Sequence, residues 1–509
     1  MGDLSRPTRA TWALVAAVVG SSMSFIDGTA VNVALPILQH DLHASAAAGQ
    51  WVVESYALFL SALTLIGGSL GDLYGRKRIY GSGIAIFALA SIVCALAPSI
   101  GWLVAGRSLQ GLGGALATPG SLALISANFS GEARGRAIGT WSGASAISAA
   151  FGPVLGGTLA QLGSWRWVFI INIPLAALVL AILILRVDES RADSASRRVD
   201  VWGATLATLG LGALVYGLIA LGGGAFAAPS LAAIVIGIFA LAGFVVLETR
   251  ESHPMIPPAF FRVRRFALAN AYTLLLYAAL GGSLFFVPFD LINVQHYSPS
   301  FAGAALLPMI VILGIFSPAS GAFVARIGAR IPLAAGASIA ACGFVLFARA
   351  SGGGSYWTTF FPAAIVLGFG LAALVAPLTT TVMDALEPVH AGIASGINNA
   401  VSRMAGLIAI AVLGIVLAAT FSAAFDRRLA RTHVSAATSA ILAHERATIV
   451  AGRVPSGIAS ASDRRIVSDA VAVAYGDGFR TVMLVSALLA LLSAPIALDS
   501  SFRRVAPSR

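Results

Sequence analysis

The sequence predicts an all-α membrane protein of fourteen transmembrane helices, arranged as two six-helix bundles plus two linker helices. Three observations predict it: the scarcity of charge, the count of long apolar runs, and an internal repetition. Of 509 residues, 58% are hydrophobic and only 10% charged, where a soluble domain carries roughly 25%. Mean hydropathy is +0.89, which excludes both a soluble globule and a disordered chain. The formal net charge of +11 would suggest a nucleic-acid partner on a soluble protein, but on a membrane protein it is an orientation signal.

A helix needs about 20 mostly apolar residues to cross the hydrocarbon core. That window places spans at 11–37, 48–70, 79–97, 101–124, 135–160, 166–185, 200–221, 229–247, 267–291, 303–325, 331–349, 356–382, 396–422 and 480–498. Arg6 and Arg9 precede the first, which is too long for the roughly 7–15 residues of a signal core, so it is read as a retained span. With a cytoplasmic N-terminus, the inside segments hold twenty of the 32 basic residues, among them Arg76, Lys77, Arg78, Arg134, Arg136, Arg186, Arg197, Arg198, Arg262, Arg264 and Arg330. The short outside loops hold only Arg166 and Arg349. The expected setting is therefore the inner (plasma) membrane, multi-pass, with both termini cytoplasmic.

The repetition sets the domain organisation. GSLGDLYGRKRI follows span two and GAFVARIGARI follows span ten, so that Gly68 and Gly75 match Gly321 and Gly328 at an offset of 253. RGRAIG follows span four and AGIASG follows span twelve, matching Gly135 and Gly139 to Gly392 and Gly396 at an offset of 257. Such near-equal offsets are the signature of a transporter built from related halves. The expected domains are an N-terminal bundle at 1–190, two linker helices with flanking inside loops at 191–265, and a C-terminal bundle at 266–509 that carries an outside loop, 423–478.

Several motifs are suited to transport. In GDLYGRKR, glycines permit close helix approach and Asp72 can pair with a basic group or a helix N-terminus, latching one conformation. Gly68, Asp72, Gly75, Arg76 and Arg78 are the candidate latch. The string resembles the loop two-three signature of the major facilitator superfamily. RSLQGLGGAL, with Arg107, Gln110 and Gly111, resembles that family's second motif, and FGPVLGGTL, with Gly152, Pro153, Gly156 and Gly157, resembles its antiporter motif. SFIDGTAVNVALP and WRWVFIINIPLA are similar to segments of its fourteen-span drug:proton antiporter branch, the EmrB/QacA type. The resemblance covers essentially the whole chain. It implies the major facilitator fold and a second-motif arginine that assists proton transfer, without showing that this arginine touches an acid. One departure stands out: Asp72 corresponds to Ala325, so a carboxylate latch should be asymmetric between the halves.

An ionisable residue at the bilayer centre costs about 2.5–3.5 kcal/mol on insertion scales, so each needs an explanation. Asp27 in span one, Glu54 in span two and Arg107 in span four are the clearest cases and the candidates for proton coupling; the alternative is that either acid simply ties Arg107 or a broken helix backbone into the bundle. Asp290 lies near the outer end of span nine, within expected reach of interfacial water. Arg403, Asn398 and Asn399 in span thirteen serve either a cavity or helix-helix hydrogen bonding. Trp51, Tyr56, Phe285 and Phe286 are candidate cavity aromatics, with helix packing and membrane interfaces as the commoner use of such residues.

The outside segment 423–478 mixes apolar residues with arginines, and its runs 426–450 and 464–474 read as amphipathic helices. It is a docking surface for a periplasmic adaptor, a passive lid or a loosely ordered loop; nucleic-acid binding is excluded there. No G-x-x-x-x-G-K-[ST] loop and no H-E-x-x-H motif occurs, so neither ATP, nor a metal or other cofactor, nor enzyme catalysis is expected. The expectation is a secondary active exporter of a lipophilic small molecule, working by alternating access and driven by protons among membrane lipid. An uptake carrier for a metabolite, and a non-transporting receptor or scaffold built on 423–478, are the alternatives.

Overall fold

The computed structural model describes residues 9–191, 200–222, 228–251, 254, 256–350, 354–387, 391–445, 449, 454–455 and 457–502. Inside Arg197, Arg198, Arg503, Arg504 and Arg509, and Arg446 and Arg453 of the outside loop, lie beyond those residues, as does Arg6; the side chains of Asp72 and Ala325 likewise lie outside what is described. The described residues form helices and no strand. They divide into two compact units, one of residues 1–38, 51–212 and 238–255, the other of residues 39–50, 213–237 and 256–509.

The first unit contains α1 (Arg9–Asp41) as far as Leu38, α2 (Ala46–Tyr74) from Trp51, α3 (Arg76–Ala95), α4 (Ile100–Asn128), α5 (Gly131–Leu162), α6 (Trp167–Ile170) and α7 (Asn172–Arg186). Span six, expected as one helix, is interrupted at Ile171. Pro174 lies in the first turn of α7, where its missing N–H leaves no helix hydrogen bond unmade. Met23, Tyr80, Ile84, Phe87, Leu124, Val179 and Leu183 pack as the core of this unit. Tyr80 satisfies its hydroxyl by donating to the Ala16 carbonyl at 2.8 Å.

The linker helices α8 (Val201–Gly222) and α9 (Ala228–Arg250) each contribute to both units. The second unit holds α10 (Arg264–Phe289), α11 (Pro299–Ala304), α12 (Leu307–Ile327), α13 (Arg330–Ala350), α14 (Phe360–Met383), α15 (Ala391–Leu429), α16 (Ala436–His444) and α17 (Ala461–Ala497). Twelve of the described helical stretches are long and apolar enough to cross a membrane. Helices α2 and α4 occupy the positions expected for spans two and four.

Several helices exceed what a bilayer requires, α15 and α17 most of all. At 1.5 Å per residue, the 39 residues of α15 extend about 58 Å, against a hydrocarbon core of about 30 Å. The run 464–474 and span fourteen are parts of the single helix α17, because the polar turns before residue 480 continue the same backbone ladder. Instead of a loosely ordered loop, the described part of 423–478 is hydrogen-bonded. Buried Asp463 accepts from the Ser435 hydroxyl at 2.6 Å, the Thr438 hydroxyl at 2.6 Å and the Ser435 amide at 3.1 Å, which ties the start of α16 to the start of α17. Asp463→Ala leaves the buried Thr438 hydroxyl without its acceptor, a cost of about 1–3 kcal/mol. Hydrogen exchange across 435–445 should accelerate, while transmembrane amides elsewhere stay protected.

At the other end of the second unit, Arg264 donates to both carboxylate oxygens of Asp499, at 3.3 and 2.7 Å, clamping the start of α10 to the residues after α17. The Arg264 guanidinium holds the Asp499 carboxyl well below the usual carboxylate range. A depressed folded-state value means that the clamp's contribution is present above the ordinary aspartate range and is lost only as pH falls through that lowered value.

The repetition is visible in backbone geometry. Gly75 and Gly328, paired by the 253 offset, both adopt positive φ, at 113° and 80°. L-residues with a Cβ avoid that conformation, so each tight turn ahead of α3 and α13 requires glycine. Helices α3 and α4 then meet at Gly83 and Gly113, where a Cβ on Gly83 would lie 2.7 Å from the Gly113 carbonyl oxygen. Helices α13 and α14 meet at Gly336 and Gly370, where a Cβ on Gly336 would lie 2.9 Å from the Gly370 carbonyl oxygen. These two pairs are related by the same offsets of 253 and 257.

Candidate functional site

The charged residues expected in the first bundle converge, though not all three. Asp27 on α1 and Arg107 on α4 are fully buried and form an ion pair at 2.5 Å between Arg107 Nη1 and Asp27 Oδ2. The other carboxylate oxygen, Oδ1, accepts from Asn172 Nδ2 at 2.9 Å and from Gln110 Nε2 at 3.2 Å. Both amides also donate to the Ser91 hydroxyl oxygen, at 3.3 and 2.8 Å. Arg107 further donates to Gln110 Oε1 at 2.7 Å and, through Nε, to the Val52 carbonyl at 3.0 Å. Its guanidinium stands 4.2 Å from the Tyr56 ring centroid, an arrangement in which the ring's negative face attracts the cation.

One buried carboxylate thus draws α1, α3, α4 and α7 together, with Val52 and Tyr56 of α2 against the arginine. Helix α4 can approach α2 because Gly111 faces the Tyr56 backbone; a Cβ there would lie 2.5 Å from the Tyr56 carbonyl oxygen. Cys94 closes the polar cluster by donating its thiol to Gln110 Oε1 at 3.6 Å. Inside a low-dielectric bundle, this many donors are what an ionised carboxylate requires.

Glu54 is also fully buried, but neither of its carboxyl oxygens has a hydrogen-bond partner. It lies two residues along α2 from the carbonyl that Arg107 holds. The two acids therefore occupy unlike environments, one saturated with donors and the other with none.

The antiporter-type motif is next to Asp27. A Cβ on Gly152 would stand 3.0 Å from the Ile26 carbonyl oxygen and would run into the Thr29 hydroxyl; one on Gly156 would stand 2.7 Å from Ala30 Cα. These α5 glycines seat that helix on the turns of α1 flanking Asp27. Pro153 lies within the same stretch of α5.

The latch residues have a partner that the sequence did not single out. Glu189, just after α7, accepts from the backbone amides of Lys77 at 2.9 Å and Arg78 at 3.1 Å, and its Oε2 lies 3.8 Å from Arg78 Nε. The Arg76 amide donates to the Ser190 carbonyl at 2.9 Å, and Lys77 Nζ to the Val187 carbonyl at 2.7 Å. Glu189 thus supplies the N-terminal cap of α3 that Gly75 lacks the side chain to provide. A Cβ on Gly68 would lie 3.6 Å from Pro119 Cβ. Glu189→Ala should lower stability by about 0.5–2 kcal/mol, the usual cost of losing such a cap, read as a lower melting temperature of the purified protein; Glu189→Gln retains one acceptor and should lose less.

In the second unit, Asn398 donates across to Asn270 Oδ1 at 3.2 Å and Thr273 Oγ1 at 2.7 Å, the helix-helix option of the two expected for it. Asn399 is exposed and bonds its own helix at the Ser395 carbonyl. Arg403 is half-buried on α15, as is Trp51 on α2. Phe285 and Phe286 are buried edge-to-face against each other, in a packing arrangement. Asp290 differs from expectation: it is fully buried, not in reach of interfacial water, because it continues the geometry of α10 on the helix's buried face, one turn after Phe286 and Val287, at the start of a π-helical turn over Asp290–Val294.

Of the polar residues around Asp27, Gln110 was visible only as part of a motif string, and Ser91 and Asn172 carried no signal, being uncharged residues in apolar runs. Asn172 sits within WRWVFIINIPLA, two residues before Pro174, and that interruption was the available clue. Among the described residues, no group of three or more His, Cys, Asp or Glu side chains could hold a metal ion.

Residues 17–410 match the Major Facilitator Superfamily model. The chain is 38% identical over 428 residues to the multidrug resistance protein Stp of Mycobacterium tuberculosis (strain CDC 1551 / Oshkosh), covering 82% of this chain and 78% of that protein. It is 33% identical over 493 residues to the tetracenomycin C resistance and export protein of Streptomyces glaucescens, covering 95% and 90%. It is also 33% identical to the methylenomycin A resistance protein of Bacillus subtilis (strain 168), covering 82% and 90%. Among solved structures, a bacterial homologue of the human lysosomal transporter Spinster superposes with a TM-score of 0.64 at 19% identity, covering 99% of this chain and 100% of that one; at that identity the likeness is one of fold.

Proposed function

Because the chain belongs to the Major Facilitator Superfamily, and is a multi-span membrane transporter rather than an enzyme, we propose that it exports lipophilic small molecules by alternating access in exchange for protons. In this reading it is a fourteen-span carrier of the plasma membrane with cytoplasmic termini, its bundles at 1–190 and 266–509. The observation that carries the proposal is the buried Asp27–Arg107 pair beside an unpartnered Glu54.

The chemistry follows from the unlike surroundings of the two acids. Asp27 accepts from a guanidinium and two amides. Glu54 has no donor for either carboxyl oxygen, and an isolated charge there would carry a penalty of several kcal/mol. Two acids in such unlike surroundings can take different parts in moving one proton. A proton delivered to Asp27 removes the charge that holds Arg107, Gln110 and Asn172, and so loosens the junction of α1, α3, α4 and α7. Gly152 and Gly156 bring α5 against the same turns of α1, which relays that change to a fifth helix. The names of its relatives suggest antibiotics of the tetracenomycin and methylenomycin kind as the first compounds to test.

The test is resistance and accumulation in a host stripped of its own efflux pumps, with tetracenomycin C, methylenomycin A and ethidium as probes. Expression should lower intracellular probe, and a protonophore should restore it. Efflux that survives collapse of the proton gradient, or survives the Asp27→Asn, Glu54→Gln double variant, would overturn proton coupling.

A further inference from the structure

The C-terminal bundle does not repeat the Asp27 site. At the offsets that relate the halves, Arg107 and Gln110 correspond to Ala364 and Leu367, while Ser91 and Cys94 correspond to Phe344 and Phe347. Those four positions are buried and apolar. The second unit nevertheless buries a carboxyl of its own at a different place, Asp290, at the end of α10.

Its surroundings are sparse. Asp290 Oδ1 has no hydrogen-bond partner, and Oδ2 accepts from Gln295 Nε2 at 3.4 Å. The same amide donates to the Ala350 carbonyl at 3.4 Å, so one carboxamide is shared between two acceptors at the long limit of a hydrogen bond. The residue opens the π-helical turn Asp290–Val294, a geometry that recurs at functional positions in helices. Helix α17 packs against this turn and carries buried Tyr475. The other charged residues of that part of α17, Asp469, Asp477 and Arg480, are exposed, as is Arg349 of α13; α11 carries no titratable residue. From Val294 the chain leaves the helix and reaches exposed His296 within two residues.

A carboxyl with one weak donor cannot be kept permanently ionised in such a place. A metal ion would need several oxygen ligands, whereas Gln295 presents its N–H₂ to the carboxyl. A proton requires neither extra ligands nor volume. We propose that Asp290 is a second exchangeable proton site, carried by the C-terminal bundle and independent of the Asp27 cluster. The inference rests on the reading of the protein as proton-coupled. It adds to that reading an acid that takes its proton from the His296 side and has Tyr475 on the helix packed against it.

Infrared difference spectroscopy of the purified full-length protein, titrated from alkaline to acid pH with no transported compound present, tests this directly. Asp290→Asn should remove one carboxylic C=O band that grows on acidification, equal to one proton per protein. Tyr475→Phe and Gln295→Ala should keep that band but shift its frequency. Asp27→Asn and Glu54→Gln should remove different bands, additively with Asp290→Asn. A wild-type spectrum in Asp290→Asn, or a band that the variant removes but that does not change with pH, overturns the proposal. Should Asp290→Asn not fold, an unmoved spectrum in Gln295→Ala overturns it equally. Loss of the band in Asp290→Asn, with no change in Asp27→Asn or Glu54→Gln, would instead count against the Asp27 and Glu54 reading and leave Asp290 standing.

Discussion

Arg107→Leu is expected to abolish transport and to destabilise the N-terminal bundle by about 3–5 kcal/mol, the cost of removing one partner of a buried ion pair. The loss arises less from the missing bond than from what remains: a buried Asp27 carboxylate, with two amide donors but no cation. Removing that charge as well should reverse most of the damage. The double variant Asp27→Asn, Arg107→Leu is therefore expected to be more stable than Arg107→Leu alone, and still inactive. Unfolding in a denaturant series reads the stability, and protonophore-sensitive probe efflux reads the activity. If the double variant proves no more stable than the single one, the pair is not the electrostatic unit described.

Substitution at Gly156 should have the second large effect. An alanine there places a Cβ 2.7 Å from Ala30 Cα and closer still to the Ala30 carbonyl oxygen, both backbone atoms that cannot rotate away. Overpacking of this sort costs typically about 1–3 kcal/mol. Here it also pushes α5 off the turns that position Asp27, so transport should fall at least tenfold even where the protein still folds. Gly139 and Gly143, on the same helix, have open space where a Cβ would stand, with nothing within 4 Å. Alanine at either should leave transport unchanged and, through helix propensity, leave stability the same or slightly raised.

Much of this architecture was legible in the sequence because membrane insertion enforces a few strong rules. A run of apolar residues long enough to span shows itself without any partner, and Asp27 and Arg107 stood out because charge inside such a run is costly. Gly75 and Gly328 could be paired before their shared backbone conformation was known, since a turn needing positive φ restricts the residue type at both. What stayed hidden has no insertion penalty or periodicity to betray it. Ser91 and Asn172 are small polar residues whose purpose appears only when four helices meet. Glu189 was not singled out, because its role depends on α7 ending beside the start of α3. Asp290 was misplaced at the water interface because nearness to the end of a span was taken for exposure, whereas the residue lies on the buried face of α10, one turn after Phe286 and Val287.

The matched crossings Gly83–Gly113 and Gly336–Gly370 give this protein an internal control. The same bulky substitution can be made at either crossing, with nearly the same steric consequence. Only the first lies between the two helices that carry Ser91, Arg107 and Gln110. Whatever the two substitutions do alike measures packing, and the difference between them isolates the share of the work done by the charged cluster, within one polypeptide and against one background.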